Sequence, residues 1–578
     1  MARRTETANR QAKRRTGRAA QAAKARPARG SIGRVLRDPA SAKWVALCLV
    51  LIHLAFAALV FEPQPHNGGD NAAYLTLAES LLSGQGYRDL YDPAKPLHTQ
   101  YPPVFPLILA GALALGLQPW IWFKAIVVMF SAAAVGLSYL WIARRREPML
   151  ALCVGLLLAV SPGVLTLSHW ELSDVPFWAF TMGALLAWER LGRNDTKRTI
   201  LAVALTALAY FTRSAGLPLI VAAGAWLILR KRWKQLAIFA AIIGPLAFWW
   251  WWRARTQGGV DYVSQFWFVN PYAPEDGRVG AGDLVRRVLN NNEAYFTRHF
   301  PMLLVGLTAA PLLLLSISTA LLAIYGWARE LRHPRVAEFF LPLYIGLLYA
   351  WPAVWSGERF MLPALPVILY YAGKGLIRLG KRLPVARTVP AAALVTALIV
   401  VISLPAMAVN VRWGMMCMRL YGLGDRYPCH LPQWKDFFAM GEMLPRILPD
   451  DAVVLSRKPR LLYGISDKPG ANYPMFREPD SLFNVAERTG AKYVILDQVD
   501  NISRAYLTPV LLRRPHAFCI VNTFGADRIA LLGIKPGASA MRDRDEATAR
   551  SAAVSFEICG PEYWKNEAVR DSVLKLGR

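Results

Sequence analysis

The sequence carries no P-loop, no GxGxxG fingerprint, no HExxH and no CxxC. A transport ATPase and a dinucleotide enzyme are thereby set aside, because neither phosphate cradle is present. Acidic residues are also scarce, with 39 Asp and Glu against 67 Lys and Arg. A net charge of +28 invites a nucleic-acid reading, but its distribution argues against one. Residues 1–43 hold thirteen Lys/Arg against Glu6 and Asp38 only. That stretch is rich in Ala and Arg and has little with which to build a core, so it is expected to be a disordered cytoplasmic tail. It runs straight into an apolar segment from Trp44, the placement of a topology signal and anionic-lipid contact. No small-residue cleavage site follows that segment, so it is not expected to be a cleaved leader.

What is abundant is apolar sequence: 54% of 578 residues are hydrophobic and the mean hydropathy is +0.27. Runs of about 20 apolar residues span a bilayer as helices, the form that satisfies the backbone internally. Eleven are expected, near 44–62, 119–142, 148–164, 171–190, 199–213, 215–229, 235–252, 301–327, 338–355, 361–378 and 388–410. Basic clusters at Arg144–Arg146, at Arg190, Arg193, Lys197 and Arg198, at Arg230–Lys234, at Arg329, Arg332 and Arg335, and at Lys381, Arg382 and Arg387 all fall on one side if the N-terminus is cytoplasmic. The positive-inside bias therefore fixes the expected orientation, in a bacterial inner membrane with the C-terminal segment extracytoplasmic. The fold class expected is an all-α polytopic membrane bundle over 44–410, followed by a small extracytoplasmic α/β domain over 411–578.

Two outer loops, 63–118 and 253–300, are long, and long loops usually carry function. Residues 71–83 place Ala73, Leu77 and Leu81 beside Ala78 and Leu82 at helical spacing, and 104–117 is apolar but too short to span. Both are expected to lie on the membrane surface. The second loop gathers Tyr262, Phe266, Trp267, Phe268 and Tyr272, which suit a membrane interface and equally suit sugar rings. Behind residue 411, β-prone runs at 452–456, 493–497, 518–522 and 528–534 alternate with helical stretches at 480–489 and 503–513, an α/β pattern. Its cysteines, Cys417, Cys429, Cys519 and Cys559, lie where disulfides persist. Of the three pairings that four cysteines allow, Cys417–Cys429 with Cys519–Cys559 is the expected one. Cys48 and Cys153 fall within membrane helices and should be free.

Charged residues at the expected outer helix ends are the candidates for chemistry. Asp70 follows Gly68-Gly69; it is either a helix cap or a general base above the bilayer. Asp174 opens a helix with Pro176 in its first turn, and His169 and Glu171 beside it exceed what capping needs. Arg213 and Arg359 are cations on the side that the bias disfavours. Each either snorkels or binds an anionic phosphate, and Glu358 can pair with Arg359. Tyr101-Pro102-Pro103 is a rigid extended entry to the second surface helix.

Asp70 with Tyr74, the Tyr101-Pro102-Pro103 stretch, Asp174 at a helix mouth, and Arg359 with Pro363 and Pro366 together resemble the GT-C glycosyltransferases. More narrowly they resemble the protein O-mannosyltransferase and aminoarabinose lipid A transferase group, glycosyltransferase families 39 and 83, over about residues 44–410. The resemblance implies transfer of a sugar from a polyprenyl-phosphate carrier to an extracytoplasmic acceptor. In it Asp70 matches the general base, Asp174 the second acidic position, and Arg359 the arginine that meets the lipid phosphate. Tyr74, Tyr101, Glu171, Arg213 and Glu358 complete the expected substrate-binding set. Many relatives carry Lys-Pro-Pro where this chain has Tyr101-Pro102-Pro103, so one phosphate cation is missing or comes from elsewhere. A divalent cation, Mg or Mn, would be held by Asp70, Glu171 and Asp174 if one is used. The acceptor is open among protein, lipid A, cell-wall polymer and glycolipid, and the C-terminal segment is expected to help choose it. The competing readings are a lipid-linked-sugar transporter or flippase, whose charges should sit at mid-membrane, and a non-catalytic scaffold.

Overall fold

The computed structural model describes residues 38, 40–192, 195–256, 262–380, 391–525, 529–544 and 555–576. Most of the basic N-terminal stretch, Arg193 and the Lys381–Arg387 cluster lie outside these. The first part of the chain is helical: α1 (Ala42–Leu59), α2 (Asp70–Leu82), α3 (Val104–Ala114), α4 (Ile121–Arg144), α5 (Pro148–Val160), α6 (Pro162–Leu167), α7 (Asp174–Glu189), α8 (Thr196–Thr212), α9 (Leu217–Leu229) and α10 (Trp233–Thr256). A second long connection holds α11 (Tyr262–Phe266), the hairpin β1 (Phe268–Asn270) and β2 (Ala273–Arg278), and α12 (Ala281–Ala294). Then come α13 (Phe300–Val305), α14 (Leu312–Glu330), α15 (Val336–Ala350), α16 (Leu365–Gly380) and α17 (Ala391–Gly422).

Among the described residues, α1, α4, α10, α14 and α17 are long and apolar enough to cross a membrane, against the eleven spans expected; α3, α5, α15 and the Ser214–Leu229 segment are apolar but shorter. Two expected spans are broken. The 148–164 run stops at Ser161, because Pro162 starts a new helix. The 301–327 run ends at Gly306, whose φ of 73° closes α13, and resumes after Pro311. The last span extends past residue 410 to Gly422. Large apolar side chains such as Leu51 on α1, Trp249 and Trp252 on α10, and Leu398 on α17 point outward, as a lipid-facing surface requires.

Small residues set the tightest contact. α14 crosses α16 where Gly326 meets the Tyr371 carbonyl and Gly375 meets the Leu322 carbonyl, each too close to admit a Cβ. Close backbone approach at small residues is how apolar helices pack in the absence of a hydrophobic drive. We predict that Gly375→Val lowers the thermal unfolding temperature in detergent, at an overpacking cost of about 1–3 kcal/mol. An unchanged unfolding temperature would contradict this packing.

Beyond α17 lie α18 (Pro432–Ile447), β3 (Val454–Ser456), α19 (Pro459–Ser466), β4 (Gly470–Asn472), α20 (Pro479–Thr489), β5 (Tyr493–Leu496), α21 (Thr508–Arg513), β6 (Phe518–Phe524), β7 (Ile529–Ile534) and α22 (Glu567–Leu576). The strands form one sheet in the order β4-β3-β5-β7-β6. The β4–β3 and β3–β5 pairs are parallel, and the β5–β7 and β7–β6 pairs are antiparallel. One face buries Phe437, Leu444 and Leu461 from α18 and α19, and the other buries Phe483 and Leu511 from α20 and α21. The sequence reading missed β4, α18, α19 and α22. Each disulfide joins the cysteines expected: Cys417–Cys429 with Cα atoms 5.6 Å apart and Cys519–Cys559 at 5.0 Å. Cys48 and Cys153 are free.

Candidate active site

The α2 and α19 helices bring the two parts of the chain together. Ala72 of α2 belongs to the buried core under the sheet, and Gly464 of α19 lies against Ala72, Leu75 and Trp120. The Gly470 N–H at the start of β4 donates to the Tyr91 carbonyl at 2.7 Å. Burial, and the Asp467 carboxylate at the end of α19, push Glu79 of α2 up to about 7. A carboxyl with a raised folded-state value favours the docked fold below its ordinary range, and that stabilisation is lost as pH rises through about 7. Glu79→Gln is therefore expected to leave stability unchanged near pH 4 and to raise it by about 1–3 kcal/mol at pH 8.5. Thermal unfolding of the full chain at the two pH values checks this.

Asp70 is the first residue of α2. The helix cap is Gly69, held at φ 94°, and no side chain caps the helix. The Asp70 carboxylate instead accepts the Tyr101 hydroxyl proton at 2.9 Å and lies 3.5 Å from the Arg359 guanidinium. Asp174 likewise opens α7 without capping it. Its carboxylate lies 2.9 Å from Arg213 and 3.8 Å from Arg359. Arg359 thus spans the two carboxylates. Arg213 leaves the end of α8 in extended backbone and donates to the Ser173 hydroxyl at 3.2 Å, which is 2.8 Å from the Tyr74 hydroxyl. Both guanidinium groups lie over the Phe360 ring, at 5.1 and 4.8 Å.

Tyr101 is positioned from behind. Its N–H donates to His98 Nε2 at 2.7 Å, so His98 Nδ1 carries the proton and donates it to Asp89 at 2.8 Å. Arg253 at the end of α10 binds the His98 carbonyl, and the Pro102-Pro103 turn leads into α3. Burial pushes the Asp70 carboxyl up, but Arg359, Arg460, the Tyr101 hydroxyl and Arg213 together outweigh it and hold it below the ordinary carboxylate range. Asp70 is accordingly ionised at neutral pH and retains an open side, being 35% exposed.

Six of the expected residues, Asp70, Tyr74, Tyr101, Asp174, Arg213 and Arg359, therefore converge. Two do not. Glu171 is fully buried 3.5 Å from Lys124 and accepts the His66 N–H at 3.2 Å. It fixes the loop that precedes Asp70, and it is turned from the cluster by that pairing. Glu358 pairs with His299 at 3.2 Å in place of Arg359. The trio Asp70, Glu171 and Asp174 does not form a metal site: among the described residues no three His, Cys, Asp or Glu groups are placed to hold an ion. Sequence reasoning missed Lys124, which sits inside an apolar run, and Arg460. The Arg460 guanidinium on α19 donates to the Tyr101 hydroxyl at 3.0 Å. Only the departure at Tyr101 signalled that a cation should come from another part of the chain.

No protein-family model and no curated protein matches the chain. Among solved structures it is similar to the oligosaccharyltransferase of Archaeoglobus fulgidus, at 14% identity over 83% of this chain and 74% of that one, with a TM-score of 0.51. It is also similar to ArnT of Cupriavidus metallidurans, solved with bound undecaprenyl phosphate, at 14% identity over 86% of this chain and 99% of that one, with a TM-score of 0.49. The likeness to the oligosaccharyltransferase is one of fold, and at that level the resemblance drawn from the sequence holds.

Proposed function

We propose that this chain is a membrane glycosyltransferase that moves a sugar from a polyprenyl-phosphate carrier to an acceptor hydroxyl at the extracytoplasmic face, in a bacterial inner membrane. The observation that carries this reading is the convergence of an ionised, half-open carboxylate, Asp70, with Arg359 and the Asp174–Arg213 pair. All four residues sit at helix ends or between helices, the placement of an interfacial reaction and not of a mid-membrane transport path. Asp70 takes the proton from the acceptor hydroxyl as its oxygen attacks the anomeric carbon. The bond from that carbon to the phosphate oxygen breaks, the anomeric centre inverts, and the phosphate leaves with one more negative charge. Arg213 and Arg359 stabilise that charge as it develops. Asp174 holds both guanidinium groups in place.

The carrier's tail has a matching surface. An apolar cavity of about 380 Å³ lies between α14 and α15, with Phe300, Leu348 and Ile345 on its wall and Met361, two residues from Arg359, at its edge. Mostly apolar clefts of this order are the usual size of small-ligand pockets, and this one would take part of the tail. The domain reading follows the same geometry: 44–410 binds the donor, and 411–578 covers the site from the extracytoplasmic side.

The test is to load proteoliposomes of the purified chain with a radiolabelled undecaprenyl-phosphate sugar and a cell-envelope extract. The reading expects label to pass from the lipid to an acceptor. Label that changes leaflet and stays on the lipid would replace it with the flippase reading.

A further inference from the structure

The cluster holds more positive charge than its own carboxylates neutralise. Asp70 and Asp174 face Arg213 and Arg359, and these four groups balance. Two further cations come from the start of α19, Arg460 in its first turn and Lys458 just before it. Arg460 donates to the Tyr101 hydroxyl at 3.0 Å, and its guanidinium lies over the Tyr91 and Tyr101 rings at 5.3 and 5.6 Å. Among the described residues no carboxylate lies within ion-pair distance of it. Lys458 donates to the Gly68 carbonyl at 3.2 Å, two residues before Asp70. Asp89 acts on Arg460, and Asp500 and Asp70 on Lys458, only at longer range, and half-buried cations so placed are stabilised by an anion that completes them. The aromatic faces orient the Arg460 fork while leaving donors free, a suitable arrangement for a phosphate.

We propose that Arg460, with Lys458 beside it, forms a phosphate subsite for the lipid-linked donor, so that the C-terminal part of the chain supplies donor-binding groups to a site otherwise built from the membrane helices. This rests on the donor reading above. The Tyr101 hydroxyl holds the Arg460 fork beside Asp70. The Arg460 fork turns from Tyr101 to the phosphate when the donor binds. The two cations also match the second negative charge that the phosphate gains on leaving, so the subsite holds the released polyprenyl phosphate more tightly than the sugar-bearing donor.

The experiment measures binding of undecaprenyl phosphate to the full chain in nanodiscs, for wild type, Arg460→Gln, Arg460→Lys and Arg457→Gln, with unfolding temperatures recorded in parallel. The expected result is a 10- to 100-fold weaker Kd for Arg460→Gln, substantial recovery in Arg460→Lys, and near wild-type binding for Arg457→Gln, which removes an equal charge from a neighbouring side chain that pairs with Asp500. Inorganic phosphate should compete only at a large excess, since it lacks the tail. Two outcomes would overturn the assignment and leave the donor reading intact. One is Arg460→Gln binding as wild type. The other is Arg457→Gln weakening binding as much as Arg460→Gln, which would make the loss a general effect of charge. Wild type that binds no undecaprenyl phosphate would remove the donor reading itself.

Discussion

Arg145→Met should destabilise the chain by about 3–5 kcal/mol, a large part of the total for a folded protein. The Arg145 side chain is buried where α4 ends. It donates to Glu189 of α7 at 2.7 Å and to Glu338 of α15 at 2.6 Å. The Tyr371 hydroxyl of α16 donates to the same Glu338 carboxylate at 2.6 Å. The guanidinium also lies over the Trp141 and Tyr370 rings, at 4.7 and 5.1 Å. One residue therefore links four helices. Removing it leaves the Glu338 carboxylate, 1% exposed, with no cation and leaves Glu189, 2% exposed, to Arg335 alone, and the cost comes from that uncompensated charge more than from the lost bonds. The double variant Arg145→Met/Glu338→Leu should accordingly be more stable than Arg145→Met alone. Unfolding temperatures in detergent give both comparisons. Equal stability of Arg145→Met and wild type would mean that this network is solvated.

Asp70→Asn has the larger effect on function. The substitution keeps the shape of the side chain and its acceptance of the Tyr101 hydroxyl, but it removes the proton acceptor. A positioned base contributes about 10²- to 10⁴-fold, so turnover should fall by that factor while donor binding persists. Because Arg359 and its neighbours hold the Asp70 carboxyl below the ordinary range, the base is already ionised at neutral pH. The wild-type rate should stay flat as pH falls through neutrality and drop only in the acid range where Asp70 takes up its proton.

Much of this architecture was legible in the sequence, for stated physical reasons. Apolar length locates the helices, and helices stand at Asp70–Leu82 and Val104–Ala114, where short amphipathic or apolar runs placed them. The site was legible because charge at a helix end is rare in apolar sequence: Asp70, Asp174, Arg213 and Arg359 stand out against their surroundings. What was not legible was pairing across the chain. Arg144, Arg145 and Arg146 look like one topology signal, yet Arg145 alone of the three is buried, because Glu189 and Glu338 come to it from other helices. Glu171 looked like a third site carboxylate until Lys124, 47 positions earlier in the sequence, claimed it. Arg460 is one of many arginines in a polar stretch, and only the docking of α19 on α2 distinguishes it. That docking also means that removal of 412–578 would strip Arg460 and the cover of Ala72 from the site, so a role in acceptor choice is better tested by point variants in the full chain.

The most direct test of the account is a single-turnover measurement in vesicles, with labelled undecaprenyl-phosphate sugar bound beforehand to wild type and to Asp70→Asn at matched protein level. The account predicts that wild type passes the label to an acceptor in one burst, while Asp70→Asn holds the donor intact. Equal transfer by both proteins would contradict it, since the residue around which Tyr101, Arg359 and Arg460 are arranged would then have no part in the chemistry.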